Sequence, residues 1–152
     1  MEEEKDRGQG GGQVELLLVE DNPADAEIAI RALKQHHLAN RIVHVMDGRE
    51  ALDFIFGVED MEGSIPRVVL LDLKLPRVSG LEVLKAIKES PETRTIPVVV
   101  LTSSSEENDL VESYNLGANS YLVKPVDFEK FSEAIKDFGL YWLLLNRQPG
   151  GC

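Results

Sequence analysis

Four apolar runs in this 152-residue chain end on side chains that can hold an ion or a phosphoryl group. Val14-Glu15-Leu16-Leu17-Leu18-Val19 leads into Glu20-Asp21, and Arg67-Val68-Val69-Leu70-Leu71 leads into Asp72. Val98-Val99-Val100-Leu101 ends on the hydroxyl of Thr102, and Tyr121-Leu122-Val123 ends on Lys124-Pro125. Three carboxylates brought together repel one another and bind protons more tightly unless a cation intervenes. Mg²⁺ suits such a set, because it takes one or two carboxylates, keeps several waters and bridges to phosphate oxygens. Asp72 differs from the other two acids in ending the central strand, where a rigid backbone can present it to a cleft. A carboxylate nucleophile that forms an aspartyl phosphate is established chemistry. Such an attack needs charge neutralisation, which a metal and the ammonium of Lys124 can supply, while Thr102 can donate a hydrogen bond to a phosphoryl oxygen. Taken singly, each acid also fits an exposed strand end, Thr102 a strand residue or helix cap, and Lys124 a solvated lysine. Their common placement at strand ends sets them apart.

The elements that must position these groups alternate strictly. Strands are expected at about 14–20, 41–45, 67–72, 97–101 and 120–123. They are short continuous apolar runs, the pattern of a parallel sheet covered on both faces. Helices are expected near 23–37, 48–56, 79–89, 105–117 and 127–145. Asn22-Pro23 supplies an N-cap and a first-turn proline, with Asp25 at the capping-box position. Ser104 and Glu107 have capping-box spacing, Asp127 can cap the last helix, and Val126 and Phe131 are placed as a hydrophobic staple. In that helix Phe128, Phe131, Ile135, Phe138 and Trp142 form one stripe, which Gly139 interrupts without ending. Alternating β and α elements imply an α/β protein, a three-layer sandwich with right-handed crossovers. For five strands the common order is 2-1-3-4-5, whose ligand crevice opens at the C-terminal ends of strands 1 and 3. Those strands end in Glu20-Asp21 and Asp72, so the fold and the carboxylates select the same crevice independently.

Bulk properties narrow the function classes. The formal net charge is -11, which argues against nucleic acid and against an anionic membrane surface. No apolar stretch approaches the ~20 residues needed to cross a bilayer. The one cysteine, Cys152, is the last residue, so no internal disulfide is available. The acidic start Met1-Glu2-Glu3-Glu4 has no apolar segment behind it. Together these features lead us to expect a cytoplasmic protein. Residues 1–13, charged and then Gly-rich, read as a flexible tail, and lack the Gly-Lys-Ser/Thr of a phosphate loop. A domain over 14–145 and a short C-terminal tail over 146–152 complete the expected organisation. His36, His37 and His44 form no ligand-spaced set, and are expected as exposed residues at a helix end and in the second strand.

The chain resembles the receiver domain of two-component response regulators. The resemblance rests on Leu18-Val19-Glu20-Asp21-Asn22, Leu70-Leu71-Asp72-Leu73-Lys74-Leu75-Pro76, Ser79-Gly80, Val100-Leu101-Thr102-Ser103, Gly117-Ala118 and Tyr121-Leu122-Val123-Lys124-Pro125. It covers about Val14 to Tyr141. The Val-Glu-Asp-Asn-Pro-Ala-Asp opening and the Trp142-Leu143-Leu144-Leu145 ending are most similar to single-domain regulators that pair with phytochrome-type and other hybrid sensor kinases. The resemblance implies a flavodoxin-like (βα)5 fold in which Asp72 accepts a phosphoryl group from a kinase phosphohistidine. It implies that Asp21, Asp72 and the backbone carbonyl of Lys74 hold Mg²⁺ directly, Glu20 mostly through water, and that Thr102 and Lys124 bind the phosphoryl oxygens. It also implies Tyr121 as an aromatic switch moving inward with Thr102, a cis Lys124-Pro125 bond, and Lys74, Ser103 and Ser104 as tuning positions, Ser103 being small enough to leave Asp72 accessible.

The expected output is a population shift at the face formed by the fourth helix, fifth strand and fifth helix. No output domain is expected, so either a downstream protein or a second copy reads that face directly or the phosphoryl group is passed onward, and Leu140 to Leu145 would either support a homodimer or fold back on the core. The protein is not expected to be an enzyme beyond its own phosphorylation and dephosphorylation. Three other functions compete. An aspartyl-phosphate phosphatase wants an acid two residues after the nucleophile, where Lys74 stands. A flavodoxin-like electron carrier wants a phosphate loop after strand 1, where Glu20-Asp21 would repel FMN. A degenerate receiver used only for docking would not need the full set of acids, Thr102 and Lys124.

Overall fold

The apolar runs form one five-stranded parallel sheet in the computed structural model, which describes residues 14–35, 41–59, 61–103 and 107–136. In chain order the elements are β1 (Leu16–Val19), α1 (Pro23–Gln35), β2 (Ile42–Val45), α2 (Gly48–Phe56), β3 (Gly57–Val58), β4 (Met61–Glu62), β5 (Val68–Asp72), α3 (Gly80–Glu89), β6 (Val98–Thr102), α4 (Glu107–Asn115), β7 (Ser120–Val123) and α5 (Phe128–Lys136). The main sheet runs β2-β1-β5-β6-β7. With the β3–β4 hairpin set aside, this is the expected 2-1-3-4-5. The hairpin itself, an antiparallel pair with Gly57 opposite Glu62, was not anticipated. β1 is shorter than the expected 14–20, so Glu20 and Asp21 follow the strand rather than end it. The expected tails, His36 and His37, Ser104, and the apolar ending from Phe138 through Leu145 lie outside the described residues.

Strand alternation divides the core between the two faces of the sheet. Leu17, Val19, Val69, Leu71, Val98 and Val100 pack with Phe54, Ile55, Val83, Leu84 and Ile87 of α2 and α3. Leu16, Leu18, Val68, Leu70, Val99, Leu101 and Leu122 pack with Ala26, Ala29 and Leu33 of α1 and with Phe131 and Ala134 of α5. Side chains two apart on a strand share a face. Asp72 therefore continues the Val68–Leu70 row on the α1/α5 side. Thr102 continues the Val98–Val100 row on the other side, and Tyr121 stands opposite Val100 in the neighbouring strand.

The turns around the strand ends are fixed by local bonds. Ser79 and Glu82 form a reciprocal capping box at the start of α3. Asp47 caps α2 by accepting from Glu50 N at 2.8 Å, and Asp127 accepts from Lys130 N at 2.8 Å. Val126 and Phe131 are both buried in the α1/α5 core, as a staple requires. The loop after Asp72 is drawn in at two glycines. A Cβ on Gly80 would sit 2.3 Å from the Asp72 carbonyl oxygen, and one on Gly48 would sit 2.0 Å from the Val78 carbonyl oxygen. Both contacts are with backbone, which cannot swing aside.

Candidate functional site

Backbone bonds pin the strand ends before any side chain acts. Glu20 N donates to the Val45 carbonyl at 3.1 Å, and Lys124 N donates to the Thr102 carbonyl at 2.9 Å. The half-buried ring of His44 lies with Nε2 2.8 Å from the Glu20 carbonyl oxygen, tying β2 to the end of β1. His44 is thus a structural clamp rather than the exposed strand residue expected from sequence.

Above these anchors lies a cleft of about 390 Å³ lined by Glu20, Asp21, Asp25, Asp72, Lys74, Thr102, Ser103 and Lys124 among others. Glu20, Asp72 and Thr102 are buried, Asp21, Lys74 and Ser103 are exposed, and Lys124 is intermediate. Asp72 Oδ1 accepts from Lys74 N at 3.0 Å. Its other oxygen, Oδ2, lies 2.9 Å from Lys124 Nζ. The same ammonium lies 2.9 Å from Glu20 Oε1 and 3.2 Å from Asp25 Oδ2. Thr102 Oγ1 donates to the Ser103 carbonyl at 2.8 Å. The Lys124-Pro125 peptide bond is cis.

The electrostatics follow from burial. Glu20 is 1% exposed, and loss of solvation pushes its pKa up to about 7 against the pull of Lys124 and of the Asn22 N–H. Burial alone would lower the pKa of Lys124, but its hydrogen bonds to Asp72 and Glu20 outweigh that and raise it. One ammonium thus faces three carboxylates, with Asp21 a fourth at the rim.

Oxygens of Glu20, Asp21 and Asp72 lie within 4.8 Å of one another. Carboxylate oxygens this close together suit one hard divalent cation such as Mg²⁺ or Mn²⁺. Excess negative charge and an all-oxygen donor set therefore fit a divalent cation.

Three features of the site were not read from the sequence. Asp25 is not the reciprocal half of a capping box. Asn22 Oδ1 does cap α1, accepting from Ala24 N and Asp25 N at 2.9 and 3.1 Å. However, the Asn22 N–H that Asp25 would accept goes instead to Glu20 Oε2 at 3.0 Å. The Asp25 carboxylate turns to Lys124. A first helical turn that opens at the end of β1 faces the crevice, and that placement was the available signal. Asp47, besides capping α2, lies 3.5 Å from Arg77 Nε. Arg77 has φ 69, a left-handed conformation uncommon for a non-glycine residue, in the loop that carries Lys74. Finally, Tyr121 is 43% exposed and packs edge-on against Tyr114 of α4, with ring centroids 6.4 Å apart.

The fold is an α/β domain with a parallel sheet covered on both faces, and the acids, hydroxyl and lysine at its C-terminal strand ends line a cleft suited to a divalent cation and a phosphoryl group. The chain belongs to the response regulator receiver domain family, which it matches over residues 16–136. It is 47% identical over 135 residues to the probable methanogenesis regulatory protein FilR2 of Methanothrix harundinacea, covering 89% of this chain and 87% of that protein. It is 37% identical over 129 residues to response regulator Rcp1 of Synechocystis, covering 84% and 88%. Among solved structures it is similar to the bacteriophytochrome response regulator AtBRR, with 53% identity, a TM-score of 0.78, and coverage of 89% of this chain and 99% of that one. Another similar structure is a Mn²⁺-bound form of Rcp1, with 36% identity, a TM-score of 0.69, and coverage of 84% and 93%. No helix among the described residues is long and apolar enough to cross a membrane.

Proposed function

We propose that Asp72 is the phosphoryl acceptor of this receiver domain, and that a sensor histidine kinase of the phytochrome-associated kind is the donor. One observation carries this reading: buried Asp72 has one oxygen fixed by Lys74 N and the other facing Lys124 and the open cleft. An Asp72 oxygen attacks the phosphorus of a phosphohistidine, the P–N bond breaks as the P–O bond forms, and the imidazole leaves. Asp21, Asp72 and the Lys74 carbonyl would hold Mg²⁺, with Glu20 acting through water, and the ion would supply neutralisation of phosphoryl charge. Lys124 exchanges its carboxylate contacts for a phosphoryl oxygen. Thr102 turns its hydroxyl from the Ser103 carbonyl to another. Exposed Ser103 leaves the approach to Asp72 open, and Lys74 and Ser104 set how long the phosphoryl group survives attack by water.

The new charge of roughly -1.5 to -2 favours the state in which Thr102 and Lys124 close around it. Tyr121 shares a sheet face with Thr102 on the adjacent strand, which supports its role as the switch that follows. The output face is then α4, β7 and α5, available to a downstream protein or a second copy. In this account the chain catalyses only its own phosphorylation and dephosphorylation, in the cytoplasm where kinase domains act.

Acetyl phosphate with Mg²⁺ tests this without a named kinase. The protein should gain a hydroxylamine-labile phosphoryl group, and chelation with EDTA should abolish it. A hydroxylamine-stable adduct, or one indifferent to EDTA, would refute the reading.

A further inference from the structure

We propose that Asp25 is a positioning residue for Lys124, drawing its ammonium off Glu20 and Asp72 when a divalent cation occupies the site. The inference rests on the metal and acceptor roles proposed above. Lys124 Nζ has three donors and three carboxylate neighbours: Glu20 and Asp72 at 2.9 Å and Asp25 at 3.2 Å. Glu20 and Asp72 belong, with Asp21, to the group of acids whose oxygens lie within 4.8 Å of one another. Asp25 does not. A cation held there takes Asp72 directly and Glu20 through water, so it competes with Lys124 for both carboxylates and repels the ammonium at short range. Of its three neighbours, Asp25 is the one that stays available.

The local structure shows why Asp25 is free for this task. The Glu20 carboxylate takes the Asn22 N–H, so the third residue of α1 has no helix-capping bond to make. Its side chain, about one-third exposed, reaches across to β7 while its backbone is held by Asn22 Oδ1 in the first helical turn. That anchoring keeps the ammonium within the cleft. Without Asp25, Lys124 remains on Glu20 and Asp72 and competes with the metal.

A double-mutant cycle on Mn²⁺ affinity, read by electron paramagnetic resonance of free Mn²⁺ on the full chain, tests the proposal. Asp25→Asn should weaken Mn²⁺ binding by roughly five- to tenfold, within the range for coupled neighbours. In a Lys124→Met background the same substitution should change affinity by less than about twofold. Equal losses in the two backgrounds would mean that Asp25 acts only through its own charge, and would overturn the proposal, as would no loss in the wild-type background. Asp25→Ser serves in the same cycle if Asp25→Asn does not fold. An Asp72→Asn control separates the two levels of inference. If Mn²⁺ binding in the wild type does not depend on Asp72, the site assignment fails. If it does, but Asp25 has no Lys124-dependent effect, only this proposal fails.

Discussion

The ammonium of Lys124 stands 2.9 Å from Asp72 Oδ2, so the proposed nucleophile is held by a cation before any phosphoryl donor arrives. The contact offsets part of the cost of burying two acids on one strand-end ledge. Replacing Lys124 with Met leaves Glu20 and Asp72 facing each other without that compensation. Breaking a buried pair from one side costs about 3–5 kcal/mol, and the partial exposure of Lys124 lowers this to about 1–3 kcal/mol. Urea unfolding in EDTA should show that loss. Saturating Mg²⁺ should stabilise Lys124→Met more than it stabilises the wild type, because the competing ammonium is gone.

Glu20 gives the site a pH dependence of defined sign. Its pKa is about 7 in the folded metal-free protein against 4.5 for an ordinary glutamate. Between those values the native state keeps a proton that the unfolded chain has released, so the Glu20 contribution to stability is present at low pH and is lost as pH rises to about 7. Glu20→Gln has no such proton to lose. Its stability relative to wild type, measured in EDTA, should rise by an amount on the order of 2–3 kcal/mol from pH 4.5 to 7.5. A difference that stays flat across this range would contradict the assignment. Because an ionised Glu20 holds the metal's water shell more strongly than a protonated one, Mg²⁺ affinity should rise over the same window.

Gly80 makes the acceptor loop possible by its lack of a side chain. An alanine there would place a Cβ 2.3 Å from the Asp72 carbonyl oxygen, and only a backbone shift relieves that overlap. Gly80→Ala should cost about 1–3 kcal/mol. It should also weaken Mg²⁺ binding, since the displaced loop carries Lys74. Urea unfolding in EDTA would show the first effect and calorimetric titration with Mg²⁺ the second; lost stability with unchanged affinity would separate the loop from the metal site.

Tyr121 should respond to phosphoryl mimicry through Thr102. In the present structure it is exposed and rests against Tyr114, while the Thr102 hydroxyl is engaged with Ser103. Beryllofluoride with Mg²⁺ should shift the ring resonances of Tyr121 in a protein with labelled tyrosines. Thr102→Ala should bind the mimic yet leave those resonances nearly unmoved. An equal shift in both proteins would uncouple the ring from the hydroxyl.

What was legible in the sequence follows from physical cause. Strands buried on both faces must be apolar throughout, so each polar residue closing a run announced a strand end, and Glu20-Asp21, Asp72, Thr102 and Lys124 could be placed at one crevice. The β3–β4 hairpin carries no such signal: Gly57-Val58 and Met61-Glu62 are too short to show a period. Asp25 was misread because position three of a helix suits a capping box as well as it suits an ion pair, and only the competing claim of Glu20 on the Asn22 N–H decides between them. The Asp47–Arg77 contact joins two loops 30 positions apart in sequence, and no local pattern encodes it.

The most direct measurement concerns the residue that carries the phosphoryl group. After reaction with acetyl phosphate and Mg²⁺, borohydride reduction converts an acyl phosphate to an alcohol, and peptide mass spectrometry locates it. Homoserine should appear at position 72 and nowhere else, and Asp72→Asn should give none. Homoserine at position 21, or undiminished labelling in Asp72→Asn, would contradict the account.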